Sequence, residues 1–175
     1  MNRILIPFIC LVLFFIEPIF SLFSPFGPDG GLFIIPRFVL IFLMMTAIYT
    51  DRLHAVIWAF VFGVMHDVFF LDIIGLYALL FPVAVLAASF AAMRADEHPV
   101  VTSGIGFAVL LLFEVILYWV FSLIGFTDMA FGAFFTGRLL PTAAVNGLLM
   151  LALAFGLYSY EWKVRNSRYE IGSFR

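Results

Sequence analysis

The stretch FGVMHDVFFLDIIG, residues 62–75, interrupts an apolar part of the chain that extends from residue 53 to residue 93. A single helix over this part would have about 40 residues, whereas about 20 residues cross a hydrocarbon layer of roughly 30 Å. The stretch contains two acids, Asp67 and Asp72, and ends at Gly75. Because acids avoid the membrane interior and glycine favours turns, we predict a tight turn here, at one membrane surface, between two membrane spans.

The composition of the whole chain supports a membrane location for these spans. Of its 175 residues, 65% are hydrophobic and 11% are charged, whereas soluble domains average about 45–50% and about 25%. So few charges cannot cover a water-facing surface of this size. The net charge of −2 gives no sign of nucleic-acid binding, and the single cysteine, Cys10, can form no intramolecular disulfide. The chain is therefore predicted to be an integral membrane protein.

Six apolar segments have the length and composition of transmembrane helices. They cover about residues 4–23, 32–50, 53–71, 73–93, 100–124 and 137–160. The first is longer than the apolar region of about 7–15 residues in a cleaved signal peptide, and we interpret it as a retained anchor. The connections are short, and the one at 24–31 is rich in proline and glycine. The sequence therefore predicts an all-α integral membrane protein with six transmembrane helices in a single domain over residues 1–175.

The distribution of lysine and arginine predicts the orientation. If successive spans alternate in direction, only Arg37 and Arg138 lie on one side of the membrane. The other side holds seven basic residues, namely Arg3, Arg52, Arg94, Lys163, Arg165, Arg168 and Arg175. Since loops rich in lysine and arginine stay in the cytoplasm, we expect both termini to be cytoplasmic. An odd number of spans would divide these residues between the two sides.

Four charged residues are predicted to lie at one level near the outer surface. Arg37 precedes the second span, Asp67 and Asp72 flank the turn between the third and fourth, and Arg138 begins the sixth. Because unpaired charges are costly at membrane depth, we hypothesise that they form an ion-pair cluster. The alternative for the arginines and Asp67 is that each side chain reaches the lipid headgroups by itself. For Asp72 we favour exposure to solvent.

Two glutamates lie inside apolar segments. Glu114 is near the middle of the fifth span, where we expect it to be protonated or hydrogen-bonded within the helix bundle. A role in proton transfer is the alternative, but a relay needs polar neighbours, of which the sequence offers few. Glu17 precedes Pro18 near the outer end of the first span. Because proline kinks or ends a helix, we expect Glu17 to lie near water.

Motifs of known catalytic types are absent from the sequence. The chain has no HExxH, CxxC or G-x-S-x-G pattern and no glycine-rich phosphate loop. Its histidines, His54, His66 and His98, belong to three different turns on two sides of the membrane, so they cannot join in one metal site. The sequence therefore predicts no enzyme activity, no cofactor and no metal.

The order of several short motifs resembles that of the MreD family of bacterial rod shape-determining proteins. The second span begins with IPRFVL (35–40), the third ends in a G-x-x-x-D pattern, and the sixth begins with LPTAAVNG (140–147). Here Pro36 precedes the arginine, whereas the family typically has the arginine first. With Arg138 added, the candidate structural or interaction residues are Arg37, Gly63, Asp67, Gly75, Glu114, Arg138 and Asn146.

The resemblance implies a non-enzymatic membrane scaffold of the cell-elongation machinery in the bacterial inner membrane. It would bind MreC directly, with the MreB filament and the peptidoglycan synthases RodA and a class B penicillin-binding protein nearby. The resemblance also implies a fold like that of the substrate-binding S component of energy-coupling-factor vitamin transporters, which supplies an alternative function. Against this alternative, the first span has no alanine for the A-x-x-x-A contact by which S components dock.

Overall fold

The computed structural model of the chain describes residues 5–22, 33–71, 73–94 and 98–172. These residues form α1 Leu5–Leu22, α2 Phe38–Tyr49, α3 Arg52–His66, α4 Leu76–Ala92, α5 Pro99–Leu123, the short α6 Phe131–Phe134, and α7 Leu140–Gly172. Wider π-helical turns extend α3 over Asp67–Leu71 and join α6 to α7 over Phe135–Leu139. The predictions for residues 24–31, Asp72, Arg3 and Arg175 lie outside the described residues.

A turn joins α3 to α4 where the sequence predicts one. α3 and its π-helical extension lead through Gly75 into α4, and these two helices share the most extensive contact in the described bundle. Gly75 has φ +119°, a left-handed conformation that glycine adopts readily. At Gly63, a Cβ atom would lie 2.5 Å from the carbonyl oxygen of Tyr77. A glycine here therefore lets the first turn of α4 pack against α3.

α2 lies at the centre of the bundle. It packs against α1, α3, α4, α5 and α7, and every residue from Phe38 to Ala47 is buried. Its sequence is apolar on all sides, as expected of a helix that other helices surround. Within the predicted second span, 32–50, the helix begins only at Phe38, because residues 33–37 are not helical. Pro36 explains the late start, since it lacks a backbone N–H and disfavours helical conformation in the residue before it.

In the part of the chain that the structure describes, three helical segments are long and apolar enough to cross a membrane by length and composition, namely Arg52–Leu71, Pro99–Leu123 and Phe131–Tyr160. The other apolar helices are shorter, at Leu5–Ile19, Phe38–Tyr49 and Leu76–Ala92. Each of the six predicted spans thus corresponds to one apolar helix, and three of them meet the length criterion. α7 continues to Gly172, beyond the predicted end at residue 160, because no proline or glycine interrupts the intervening sequence.

Pro18 lies in the interior of α1 and Pro82 in the interior of α4. The expectation that Pro18 would place Glu17 near water is wrong. α1 continues to Leu22, and Glu17 is only 7% exposed. A proline is tolerated within a helix bundle because neighbouring groups can satisfy the carbonyl that it leaves unpaired.

Candidate functional site

Three charged residues, of which Arg37 and Glu114 are buried and Arg138 is partly exposed, join the start of α2, the middle of α5 and the turn before α7. Arg37 donates a hydrogen bond from Nε to Oε1 of Glu114 at 2.7 Å. The distance between Nη2 of Arg138 and Oε2 of Glu114 is 3.5 Å, which is close enough for an ion pair but long for a hydrogen bond. One carboxylate, 2% exposed, thus lies between two guanidinium groups. We call Arg37, Glu114 and Arg138 the charge cluster.

Aromatic rings enclose the guanidinium group of Arg37. Its Cζ atom lies 5.3 Å from the centre of the Tyr77 ring and 5.5 Å from the centre of the Phe113 ring. Ring faces attract cations at such distances, and here they also limit the access of water to the ion pair with Glu114. Because an unpaired charge is costly in such surroundings, Arg37 and Glu114 hold each other in place. The pair thereby fixes the start of α2 against α5.

Asp67 has a different role from the one predicted. The hypothesis placed it in an ion-pair cluster with the two arginines, and this is wrong, because the arginines contact Glu114. The fully buried carboxylate of Asp67 instead accepts hydrogen bonds of 2.8, 2.8 and 3.0 Å from backbone amides. The donors are the amides of Gly75, Tyr77 and Ala78. Since amides at a helix start have no partner within the helix, Asp67 caps α4 from the end of α3.

The extended segment 33–37 is held by two side chains of α7. Asn146 donates from Nδ2 to the carbonyl of Ile35 and accepts at Oδ1 from the amide of Arg37, both at 3.0 Å. One turn earlier, Thr142 Oγ1 accepts from the amide of Ile35 at 3.1 Å and donates to the carbonyl of Phe33 at 3.2 Å. These bonds satisfy backbone groups that a non-helical segment inside a bundle would otherwise leave unpaired. The sequence analysis identified Asn146 but missed Thr142, which lies four residues earlier on the same helix face.

A second buried pair consists of Glu17 in α1 and His66 at the end of α3. Oε2 of Glu17 lies 2.7 Å from Nε2 of His66, and Oε1 accepts from the amide of Val39 at 2.8 Å. Glu17 therefore also caps the first turn of α2. The sequence analysis missed this pair. The sequence predicts that Glu17 and His66 both lie near the outer ends of their spans. This shared depth in the membrane is the signal that could have indicated the pair.

A cavity of about 460 Å³ adjoins the charge cluster. Its polar lining consists of Glu17, Arg37 and His66. Its apolar lining consists of Pro18, Ile35, Pro36, Phe70, Leu71, Tyr77 and Phe121, among which Tyr77 also carries a hydroxyl group. The volume falls within the range of about 300–1,000 Å³ that is typical of small-molecule sites.

The buried polar groups are arranged to hold helices together. Asp67 and Glu17 cap helices, Asn146 bonds to an extended backbone, and Glu114 bridges two arginines. Within the described ranges, no group of three His, Cys, Asp or Glu side chains is placed to hold a metal ion. His54, in the first turn of α3, lies beside Asp51, which precedes that helix, and His98 precedes α5.

Comparison with known proteins decides the family. The sequence profile of the family described as rod shape-determining protein MreD matches residues 1–164. The rod shape-determining protein MreD of Bacillus subtilis (strain 168) is 30% identical over 162 residues, which cover 90% of this chain and 94% of the relative. The chain belongs to the MreD family. It is thus a membrane protein of a family that determines rod shape. No solved structure matches the chain, and the expected likeness to S components stays a prediction.

The seven candidate residues of this MreD-family chain form one connected region. Tyr77 connects several of them, since its ring faces Arg37, its amide bonds to Asp67 and its carbonyl lies beside Gly63. Asn146 bonds to the backbone of Arg37, and Glu114 and Arg138 complete the charge cluster. We call this part of the bundle, which includes the α3–α4 turn and the segment 33–37, the hairpin end. That these residues also take part in the function of the protein stays a prediction.

Proposed function

We propose that this protein is a non-enzymatic scaffold of the cell-elongation machinery that binds MreC directly. MreB, RodA and a class B penicillin-binding protein would lie nearby, and the assembly would organise peptidoglycan synthesis and cell shape. Membership of the MreD family supports this proposal. The observation that carries it is that the buried polar groups of the hairpin end bond to neighbouring helices and backbone. Such bonds keep surfaces in a fixed relative position, which a scaffold requires.

We further propose six transmembrane spans in the bacterial inner membrane, with both termini in the cytoplasm. The division of basic residues, seven against two, supports this orientation. α2 has 12 residues and rises only about 18 Å. The non-helical segment 33–37 adds at most about 16 Å, since an extended chain spans roughly 3.3 Å per residue. Together they match a hydrocarbon layer of about 30 Å, so a short central helix is compatible with a complete span.

The proposed topology places the α3–α4 turn and the loop after α5 on the outside. Both present large apolar side chains, since Ile74 is 77% exposed and Phe126 is 58% exposed. We infer that these two positions contact the part of MreC that adjoins its membrane span. Leu53, 67% exposed at the opposite end of α3, would lie on the cytoplasmic side.

Site-specific photo-crosslinking tests the proposal. A benzophenone amino acid at position 74, 126 or 53 is introduced into the full chain, which is co-expressed with full-length MreC, irradiated and purified in mild detergent. We expect MreC to co-purify and to crosslink from positions 74 and 126. Position 53 is the matched control, because it is equally exposed and apolar but lies at the other end of α3.

Two results would contradict the proposal. If full-length MreC neither co-purifies nor crosslinks from any position, the scaffold function loses its main support. If crosslinks arise from position 53 alone, the contact surface and the proposed orientation are wrong. Reporter fusions at the two termini provide a separate check. Green fluorescent protein fluoresces only in the cytoplasm, so a fusion to either terminus should fluoresce if the proposed orientation is right.

The cavity at the hairpin end is the observation that favours the alternative function, a vitamin-binding S component. Its polar and apolar lining is of the kind found in small-molecule sites. Thermal unfolding of the purified protein with a panel of water-soluble vitamins separates the two functions. A scaffold shows no shift with any vitamin, whereas a saturable rise in unfolding temperature with one of them would favour the S component.

A further inference from the structure

Two adjoining cavities at the hairpin end share apolar walls. The cavity of about 460 Å³ has Phe70, Leu71 and Phe121 in common with a second cavity of about 380 Å³. The second cavity is completed by Phe126, Thr127 and Arg138. Arg37 lines the first cavity and Arg138 lines the second. The two cations of the charge cluster therefore border neighbouring spaces that only apolar side chains separate.

Arg138 has more donor capacity than its described surroundings use. Its contact with Glu114 is 3.5 Å long, and its buried Nε has no hydrogen-bond partner among the described residues. A guanidinium group carries five N–H donors in a fixed plane, which match the oxygens of phosphate or carboxylate groups. The side chain of Arg138 is 23% exposed, against 7% for Arg37. Arg138 is thus the cation of the cluster that a ligand can reach.

The neighbouring acids have other partners for three of their four oxygens. Oε1 of Glu114 accepts the hydrogen bond of Arg37, and the two oxygens of Glu17 contact His66 and the amide of Val39. Oε2 of Glu114 has no hydrogen-bond partner among the described residues and lies 3.5 Å from Arg138. The charge cluster contains two arginines and one glutamate, which gives it a net charge of +1. An anion placed at Arg138 would balance this charge.

The walls of the cavities suit an apolar chain. Phe70 and Phe126 are 48% and 58% exposed, so aromatic surface continues from the cavities to the outside of the bundle. Thr127 is the uncharged polar side chain among the described residues that line the second cavity. A ligand that fits both features has an anionic head and a hydrocarbon tail.

We propose that these cavities bind a lipid whose head carries a phosphate group. The phosphate accepts hydrogen bonds from Arg138, and an acyl chain lies along Phe70, Phe121 and Phe126. A bidentate arginine–phosphate contact is stronger than a neutral hydrogen bond, and burial of the chain adds the hydrophobic contribution. This site does not depend on the scaffold function, because it requires no contact with MreC.

Thermal unfolding of the full chain in dodecyl maltoside tests the site with three probes. Dioctanoyl phosphatidic acid supplies head and tails, dioctanoylglycerol supplies the tails alone, and inorganic phosphate supplies the anion alone. We expect a saturable rise in unfolding temperature of about 5 °C with phosphatidic acid. We expect Arg138→Gln to weaken this binding at least tenfold. Arg94→Gln is the matched control, because it removes an exposed arginine beyond the end of α4.

Several outcomes would overturn the proposal. An equal shift with dioctanoylglycerol would show that the phosphate is not recognised, and an equal shift with inorganic phosphate would show that the tails are not. Unchanged binding to Arg138→Gln would exclude Arg138, and equal weakening by Arg94→Gln would indicate only general attraction between opposite charges.

A second variant keeps the site testable if Arg138→Gln does not fold. Leu71→Trp places a larger side chain in the wall that the two cavities share, and it leaves every charge in place. We expect this variant to fold and to lose the shift with phosphatidic acid. If it retains the full shift, the acyl chain does not occupy these cavities.

Discussion

At the residue scale, Glu114 has a central place because one carboxylate serves two arginines. Removal of Arg37 would leave Glu114 beside Arg138, so one ion pair would remain. Removal of the carboxylate would leave two guanidinium groups, one buried and one partly exposed, without an anion. The three members of the charge cluster are therefore not equivalent, although each of them takes part in an ion pair.

We expect Glu114→Gln to lower the free energy of unfolding by about 3–5 kcal/mol, the usual cost of removing one partner of a buried ion pair. Arg37→Gln should cost less, because Glu114 keeps Arg138 as its partner. Chemical unfolding of both variants in detergent micelles measures the difference. Equal losses for the two variants would show that Arg138 does not contribute to the cluster.

Gly63 permits close packing of two helix backbones. We expect Gly63→Ala to destabilise the protein by about 1–3 kcal/mol, because the new Cβ would meet the backbone of Tyr77, which cannot move aside as a side chain can. The control is Gly104→Ala in α5, where no atom lies within 4 Å of the added Cβ. Since alanine is the better helix former, this control should be neutral or stabilising by about 0.5–1 kcal/mol. Unfolding temperatures of both variants provide the test, and a stable Gly63→Ala would contradict the packing described here.

The sequence predicted a common level for the charged residues but not their helix faces. Arg37, Asp67 and Arg138 do lie in one connected region of the bundle, and their level in a membrane stays a prediction. Their partners depend on the rotation of each helix about its axis, which a nearly uniform apolar sequence does not encode. For that reason Glu114 was assigned to the bundle interior without its arginines, and Asp67 was paired with the wrong groups.

At the element scale, two aspartates cap helices in different surroundings. Asp67 is buried and accepts from three amides of α4. Asp51 precedes α3, accepts from the amide of His54 at 3.2 Å and has a side chain that is 40% exposed. Asp67→Ala should cost about 3 kcal/mol or more, because three amides lose their acceptor inside the bundle. Asp51→Ala should cost about 1 kcal/mol, as for an exposed cap.

The stabilisation that the Asp51 cap provides depends on pH. The hydrogen bond from the His54 amide lowers the pKa of Asp51 below its ordinary value of 3.8. A lowered pKa in the folded state means that the stabilisation is present above pH 3.8 and is lost as the pH falls through the lowered pKa. Asp51→Ala should therefore unfold with a flatter pH dependence than the parent protein below pH 4. An unchanged acid profile would show that Asp51 does not contribute.

Asn146 is expected to be the main support of the extended segment 33–37. Asn146→Leu removes both the acceptor for the amide of Arg37 and the donor to the carbonyl of Ile35, and should cost about 2 kcal/mol or more. Asn146→Asp keeps the acceptor and loses only the donor, so it should cost less. Unfolding in detergent micelles ranks the two variants. If Asn146→Leu is as stable as the parent, the backbone of this segment has other partners.

Helices were easier to predict than the segments between them. Hydropathy located six apolar helices, and the acids and glycine of residues 62–75 located the α3–α4 turn. The late start of α2 and the continuation of α1 past Pro18 were not predicted. Pro36 indicates the first of these locally, but both also involve partners from distant helices. Thr142 and Asn146 satisfy the extended backbone, and Glu17 is buried against His66.

At the scale of the whole molecule, the bundle is organised around its least exposed helix. α2 contacts the five other long helices, and its first turn is fixed by Glu17 from α1, Glu114 from α5 and Asn146 from α7. Elements from both ends of the chain therefore meet at the start of α2, and the stability of the bundle should depend on the presence of its last helix.

Truncation tests this dependence. A chain that ends after Leu139 lacks α7 and should be degraded in cells, because segment 33–37 loses its hydrogen-bond partners. A chain that ends after Tyr160 keeps Thr142 and Asn146 and loses only the final part of α7. We expect this second chain to accumulate normally. The half-lives of the two proteins, measured after translation is stopped, give the result, and equal half-lives would contradict the prediction.

The bonds between segment 33–37 and α7 have a consequence for biosynthesis. Arg37 and Asn146 are separated by 109 residues along the chain, which a ribosome produces in roughly 5–20 s at about 5–20 residues per second. Throughout that interval the backbone of the segment lacks its final partners. The translocon, or water held within it, must therefore satisfy these groups until the last helix emerges, so the centre of the protein is completed only when synthesis is nearly over.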